Sequence, residues 1–244
     1  MKKIIKLILL MICLCVFMFS AYNICKYLIE EKVNKEYNNH LMEKAVVEIP
    51  SNNKEESNQN TLPISVDFRI LKSENQDIVG WIYSEDTPIN YPVVQEKDNE
   101  YYIDRLINGE INSAGSIFMD YRNSQKIEDK NTILYGHNMK NDTMFGTIQE
   151  YKKQEYYNKH KNMYYFTPER NFIIKLFAGY TISAKSEIYD LCTIDETTKE
   201  ELMNKSDFKS DVEVTMNDKI ITLSTCAYEY DDARYIVMGV LQEI

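Results

Sequence analysis

The chain has 244 residues, 44% of them hydrophobic, which suits one medium domain with appendages or two small domains. Its 19 tyrosines, against 7 glycines and 1 tryptophan, point to strands and aromatic-lined surfaces and away from a glycine-rich cofactor fold. The formal charge is −10, and Lys2, Lys3, Lys6 and Lys26 stand on a stretch without acids, so the remainder is more acidic still. Nucleic acid is therefore not expected as a partner, because no basic stripe is available for its phosphates.

The N-terminus reads "MKKIIKLILLMICLCVFMFSAYNICKYLIEEK". The run from Leu7 to Ile24 carries no charge and, at about eighteen residues, can cross a bilayer core. A cleaved signal peptide is the rival reading, but Phe19 in "MFSAY" occupies a place where a small residue is wanted. An uncleaved anchor is preferred. Lys2, Lys3 and Lys6 outweigh the mixed flank of Lys26, Glu30, Glu31 and Lys32, which puts the N-terminus inside and the bulk outside. The expected organisation is a cytoplasmic tail (1–6), a transmembrane signal-anchor (7–25), an extracellular stalk (26–61) and a folded domain (62–244), in a single-pass protein of the cell membrane. Within the stalk, "EEKVNKEYNNHLMEKAVVE" is patterned as a helix with a thin apolar stripe, and "PSNNKEESNQN" has linker composition.

Three of the five cysteines, Cys13, Cys15 and Cys25, lie in or beside the apolar run. Cys192 and Cys226 belong to the outer domain, too few for a disulfide framework. Either they form one bridge, or an external protein carries a free thiol, which usually has a use.

The folded domain opens with Val66, Ile70 and Leu71 at helical spacing, followed by a short strand over Ile78–Tyr83. Strand signals then dominate: "INYPVVQ", "GSIFMDY", "NTILYGH", "NMYYFTP", "NFIIKLFAGYTIS", "VEVTMNDKIITLSTC" and "RYIVMGVLQEI". Two helices are predicted between them. One is "DTMFGTIQEYKKQEYYNKH", capped by Asp142 or Thr143; the other is "DETTKEELMNKSDF", capped by Asp195. Many strands, few helices and no βαβ alternation indicate a mainly β fold, a closed antiparallel barrel or a sandwich.

The chemistry concentrates in "ITLSTCAYEYDDARYIVMG". If "KIITLSTC" and "RYIVMGV" are consecutive antiparallel strands, one register sets Cys226 opposite Arg234, with Cβ atoms about 5 Å apart. Ser224 shares their face through the period-two alternation. A guanidinium beside sulfur favours thiolate, and it can equally donate to an oxyanion formed when that sulfur attacks a carbonyl. A thiol nucleophile also needs a proton-transfer partner. Of the three histidines, His40 falls in the stalk and His160 in a basic helix end. His137 follows the strand "TILYG" and opens a loop, the rim position such a partner requires.

These residues resemble the class B sortases. "TLSTC" followed by an arginine, "YGHN" upstream, "DIVGWIY", "INYPVVQ", "GSIFMDYRN", "ILYGHNMKNDTMFG" and the N-terminal anchor carry the resemblance over most of the chain. It implies a closed eight-stranded β-barrel with N-terminal helices and a helix in the long connection before the cysteine-bearing strand. It also implies a cysteine transpeptidase. Cys226 would attack the Thr carbonyl of a C-terminal sorting signal of Asn-Pro-x-Thr or related type, Arg234 and backbone N–H groups would hold the oxyanion, and His137 would exchange protons with the amines. The partners implied are surface proteins bearing that signal, and peptidoglycan or its lipid-linked precursor as the amine acceptor. No cofactor or metal is implied, and the chain is expected to act as a monomer. By the same resemblance Asn90, Val94, Tyr135 and Ser224 would line the peptide groove, with Tyr189 as groove wall. Each has a plainer reading: turn residue for Asn90, core for Val94, strand packing for Tyr135 and strand alternation for Ser224. Cys192 reads as structural. Two other readings compete: a secreted cysteine endopeptidase that only hydrolyses, and a non-catalytic, membrane-tethered barrel that binds a partner.

Overall fold

A computed structural model of the chain describes residues 2–49, 62–190 and 196–244. Eight strands close into a barrel: β3 (Ile78–Tyr83), β4 (Asn90–Val94), β5 (Ile117–Met119), β6 (Asn131–Tyr135), β7 (Asn162–Phe166), β8 (Asn171–Ser183), β9 (Ile220–Cys226) and β10 (Ala233–Glu243). Their order around the barrel is β10-β8-β7-β3-β4-β5-β6-β9, with β9 pairing β10 to close it, so the barrel itself has no exposed edge. Two of the pairings, β4 with β5 and β6 with β9, are parallel. Each therefore needs a long crossover, and the cleft described below is built from these crossovers.

Alternation fixes which side chains go inside. Ile221 and Leu223 of β9, Leu134 of β6 and Tyr235 and Val237 of β10 all point into the barrel, in a core they share with Val93, Ile117, Tyr165 and Ile174. Their neighbours on the outer face, Ile133, Ile220, Ile236 and Met238, form a second cluster with Leu202 of α4 (Glu196–Lys205). Ser224 and Cys226, two and four residues beyond Thr222, also belong to the outer face.

The N-terminal segment is one continuous helix, α1 (Lys2–Ala45). An 18-residue window of it has mean hydropathy 2.7 with none of the window buried, so it is long and apolar enough to cross a membrane. Its later turns, which the sequence assigned to a stalk, lie against the barrel: Asn34, Leu41 and Ala45 are buried. These three share one face at spacings of seven and four, the stripe of an amphipathic helix. Beyond α1, β1 (Val46–Glu48) pairs antiparallel with β2 (Ile64–Val66), and α2 (Phe68–Glu74), capped by Asp67, follows. Leu41, Ala45, Ile64 and Leu71 then pack on Trp81, Val94 and Phe166 on the outside of the barrel wall.

Several local expectations give way. Val66 belongs to β2 and not to a helix, because it pairs with Val46. The predicted helix over 142–160 is split into a 3₁₀ helix, Gly146–Lys152, and α3 (Gln154–Lys159), with Lys153 extended between them. Phe145, Ile148 and Tyr151 are all fully buried, and their spacing of three suits the three residues per turn of a 3₁₀ helix better than 3.6. Asp142 adopts φ +61 and Met144 φ +55, so neither Asp142 nor Thr143 caps an α-helix there. The strand predicted from "VEVTMNDK" begins only at Ile220; before it a turn is closed by the Thr215 amide donating to Asp218 Oδ2 at 2.6 Å. Asp195, the expected cap of α4, and Cys192 lie outside the described residues.

Candidate active site

Strands β9 and β10 pair with Arg234 opposite Cys226, Ile236 opposite Ser224 and Met238 opposite Thr222. The turn between them is held by the Ala227 amide donating to Ala233 O at 3.0 Å and the Ala233 amide donating to Tyr230 O at 3.1 Å. A salt bridge from Lys152 to Glu229 ties that turn to the 3₁₀ helix. On its other side β9 runs parallel to β6, with Tyr135 level with Ser224. The Gly136 amide continues the ladder to Ser224 O at 3.1 Å, and Thr225 Oγ1 donates to Gly136 O at 2.7 Å. A Cβ on Gly136 would stand 2.4 Å from Ile117 Cδ1 and 2.8 Å from the Phe145 ring, so only glycine lets the chain leave β6 this close to the barrel wall.

His137 is the next residue. Its carbonyl accepts from the Phe145 amide at 3.0 Å, and its Nε2 lies 2.6 Å from Ile103 O. A carbonyl can only accept, so Nε2 carries the proton, and in the neutral ring Nδ1 is the nitrogen left to exchange one. The Cys226 carbonyl accepts two side-chain amides, Asn138 Nδ2 at 2.9 Å and Gln149 Nε2 at 3.0 Å. These fix the backbone of the cysteine against the loop that carries the histidine.

Cys226, His137 and Arg234 line one cleft of about 380 Å³, together with Tyr135, Tyr189 and Ser224. Cys226 is a partly exposed free thiol. Arg234 spends one donor, Nη1, on Ala233 O at 2.9 Å and has no carboxylate partner among the described residues. Tyr189 donates to or accepts from Ser224 Oγ at 2.8 Å. Burial, with the nearby Cys226 adding to it, pushes the Tyr189 phenol up to about 12 even though Ser224 and Arg234 pull it down, so it stays protonated as a hydrogen-bonding wall. A larger cavity of about 840 Å³, between α1, α2 and residues 167–171, holds neither cysteine nor histidine; chemistry and not size selects the smaller cleft.

Asn90 and Val94, expected in the groove, are elsewhere. Asn90 accepts from Trp81 Nε1 at 2.7 Å and lies beside Met42 of α1, and Val94 is fully buried beneath α1 and α2. The crossover between β4 and β5 supplies the cleft instead, through Asn99 and Ile103. The floor was also missed. Asp120, fully buried, takes two bonds of 2.8 Å from Arg122 and others from Tyr135 (2.9 Å) and Asn99 (3.1 Å), while Arg122 Nη2 reaches Tyr189 O at 2.7 Å. Burial raises the Asp120 pKa, but these bonds outweigh it and hold the carboxyl below its ordinary range. Signal existed in "FMDYRN", where an Asp just past the strand is followed two residues on by an Arg, the spacing of the turn that the Arg122 amide closes on Asp120 Oδ1 at 3.0 Å. Among the described residues no group of three or more His, Cys, Asp or Glu is placed to hold a metal ion.

A thiol, an imidazole and a guanidinium on the outer rim of a closed eight-stranded barrel can be compared with known proteins. The sortase domain family model matches residues 82–242. Sortase B of Listeria monocytogenes is 38% identical over 183 residues, covering 72% of this chain and 74% of that relative. The crystal structure of sortase B from B. anthracis in complex with AAEK1 superposes with a TM-score of 0.71 at 35% identity, covering 89% of this chain and all of that one. A crystal structure of sortase B complexed with triglycine gives a TM-score of 0.66 at 36% identity, covering 72% of this chain and 86% of that one. Fold, cleft and relatives agree: the chain belongs to the sortase family, with the class B sortases as its relatives, and is a cysteine transpeptidase.

Proposed function

We propose that the chain is a membrane-anchored, wall-facing transpeptidase in which Cys226 is the nucleophile, His137 the proton carrier and Arg234 the oxyanion donor. The observation that carries this reading is the pairing of Cys226 with Arg234 across the β9–β10 hairpin, at the rim of a cleft that His137 also lines. Cys226 passes its thiol proton to Nδ1 of His137, and the resulting thiolate attacks the carbonyl carbon of the Thr in a sorting signal of Asn-Pro-x-Thr type. Negative charge gathers on the carbonyl oxygen, where the remaining N–H groups of Arg234 receive it. The Ala227 amide, next in the chain, is already engaged with Ala233 O, which leaves the guanidinium as the principal donor. As the C–N bond breaks, the leaving amine takes a proton from His137, through Nδ1 if the Ile103 bond persists. A thioester remains. An incoming amine attacks the thioester carbon and gives a proton to the imidazole, and the departing thiolate takes that proton up as the thiol.

Tyr135, Ser224 and Tyr189, with Asn99 and Ile103, form the walls along which the peptide would lie. The acceptor is an amino group of peptidoglycan or its lipid-linked precursor; a relative crystallised with triglycine, a peptide with a free amine, supports that class. Residues 7–25 act as the anchor, residues 1–6 stay in the cytoplasm, and the barrel, acting as a monomer, works outside.

The test is a fluorogenic sorting-signal peptide presented to the full chain in detergent, with and without an oligoglycine or a wall-peptide amine, products being identified by mass. Ligated peptide in proportion to amine supports transpeptidation. Hydrolysed peptide alone, whatever the amine, would replace this reading with a cysteine endopeptidase.

A further inference from the structure

Helix α1 reaches the cleft through a short chain of contacts. Asn112 Nδ2 donates to Glu30 O at 2.8 Å, and buried Asn34 donates through Nδ2 to Gly115 O at 3.3 Å. Asn34 is itself oriented by Asn38, whose Nδ2 donates to Asn34 Oδ1 at 3.0 Å. Gly115 takes φ +57, and a Cβ there would stand 2.4 Å from Ile103 O and 2.9 Å from Tyr102 O. The Ser116 amide donates to that same Tyr102 O at 3.0 Å, and Ser116 Oγ donates to Arg105 O at 2.8 Å. Ile103 O is the acceptor that holds the His137 ring. Four residues thus link the helix to the imidazole: Asn34, Gly115, Ile103 and His137.

We infer that α1 is a positioning element for His137: Asn34, through Gly115, sets the Ile103 carbonyl that fixes the imidazole's tautomer and angle. This rests on the reading of His137 as the proton carrier. Triads commonly give such an orienting task to a carboxylate or amide side chain. In the present geometry a main-chain carbonyl does it, and a main-chain group can only be as well placed as the segment that bears it. The Tyr101–Asp104 segment is a single 3₁₀ turn with no long element of its own, so its placement falls to what packs behind it. One consequence is that the helix that meets the membrane and the histidine that moves protons belong to one mechanical unit.

The experiment uses the full chain in detergent with Asn34→Ala, Asn34→Asp and Gly115→Ala, and with Lys32→Ala on the exposed face of α1 as a control. Asn34→Asp is nearly isosteric but removes the donor and faces the Gly115 carbonyl with a second acceptor, so it separates bonding from packing. For the three test variants kcat is expected to fall about tenfold to a hundredfold with KM little changed, as for a sub-ångström misplacement of a reacting group. In 15N spectra of the histidine ring, the Nε2–H signature of His137 should give way to mixed tautomers. The inference is overturned if His137→Ala loses activity while the Asn34 variants keep both wild-type kcat and the Nε2–H signature. If His137→Ala keeps its activity, the reading of His137 falls instead, and the ring signature alone still decides whether Asn34 holds the imidazole. Should Gly115→Ala fail to fold, the two Asn34 variants decide.

Discussion

The two sides of the cleft are built in opposite ways. The β9–β10 side is a ladder in which each residue has one partner, from Arg234 against Cys226 to Val240 against Ile220. The facing side, residues 95–116, is a chain of turns. The Asp98 carboxylate accepts from the Glu100 and Tyr101 amides, Asn112 Oδ1 accepts from the Ala114 amide, and one isolated bridge joins Arg105 to Ile111. A ladder places side chains by period, so a single register fixes all of them. A chain of turns places them one hydrogen bond at a time. Cys226 and its cationic neighbour sit on the ladder, where a slip of one residue would turn one of them to the wrong face. Ile103, which holds the histidine, and Asn99, which lines the cleft beside it, sit on the turns, where change is local.

The largest effect comes from breaking the ladder side chemically. Cys226→Ala is expected to abolish cleavage and ligation, with no thioester adduct by mass spectrometry; turnover by this variant would remove the sulfur from the mechanism. Arg234→Lys separates two roles. A point charge still favours thiolate, but the planar fork that binds an oxyanion is lost. Iodoacetamide alkylation against pH should stay near wild type while cleavage falls at least about a hundredfold, within the range for loss of one oxyanion donor. A raised alkylation pKa with a matching loss of cleavage would assign the charge role to Arg234.

On the turn side the effect is smaller and falls on binding. Asn99→Ala should raise KM for the peptide several-fold, on the order of the net worth of one or two hydrogen bonds, with alkylation of Cys226 unchanged. An unchanged KM would take Asn99 out of the peptide groove. By contrast Val94→Ala, buried behind the site, should lower stability by roughly 1–3 kcal/mol in a denaturant titration and leave kcat of the folded fraction as it was. A loss of kcat at full stability would return Val94 to the groove.

The floor joins the two sides, and its signature is in stability against pH. The Asp120 carboxyl has a depressed pKa in the folded chain, because Arg122, Tyr135 and Asn99 bond to its ionised form more strongly than burial opposes it. Its contribution is therefore fully present above the ordinary carboxylate pKa of about 4 and is lost as pH falls through the lower folded value. The melting temperature of the wild type minus that of Asp120→Asn should be constant from neutral pH to about 5 and shrink below about 4. A difference that grows on acidification would mean that Asp120 is destabilised in the ionised state.

What could be read from sequence follows the same division. Eight runs with strand signals became eight barrel strands, and the facing of Cys226 and Arg234 was legible because an antiparallel hairpin leaves few registers open. Asn99 and Ile103 carry no periodic signal, and the resemblance pointed to "INYPVV" for the groove, whose Val94 belongs to the wall beneath α1 and α2. The helix after the anchor and its thin apolar stripe were legible, but its docking on the barrel was not, because the buried face that carries Leu41 and Ala45 also carries polar Asn34. The split at Lys153 was hidden because buried positions three apart read as an imperfect α-helix.

The parallel seam between β6 and β9 also bears on the order in which the molecule assembles. Its partners, Asn131 with Ile220 through Tyr135 with Ser224, are about ninety residues apart, and such distant pairings form late because the intervening chain must first be confined. The β3–β4 and β7–β8 hairpins can form before β9 exists, whereas Cys226 meets Asn138 and Gln149, and Thr225 meets Gly136, only when that seam shuts. By this argument the sulfur reaches its neighbours in a late step of folding, since only the β3–β7 pairing spans a comparable length of chain. In a refolding experiment its alkylation rate should change in the slowest phase, after the far-ultraviolet circular dichroism signal has already recovered.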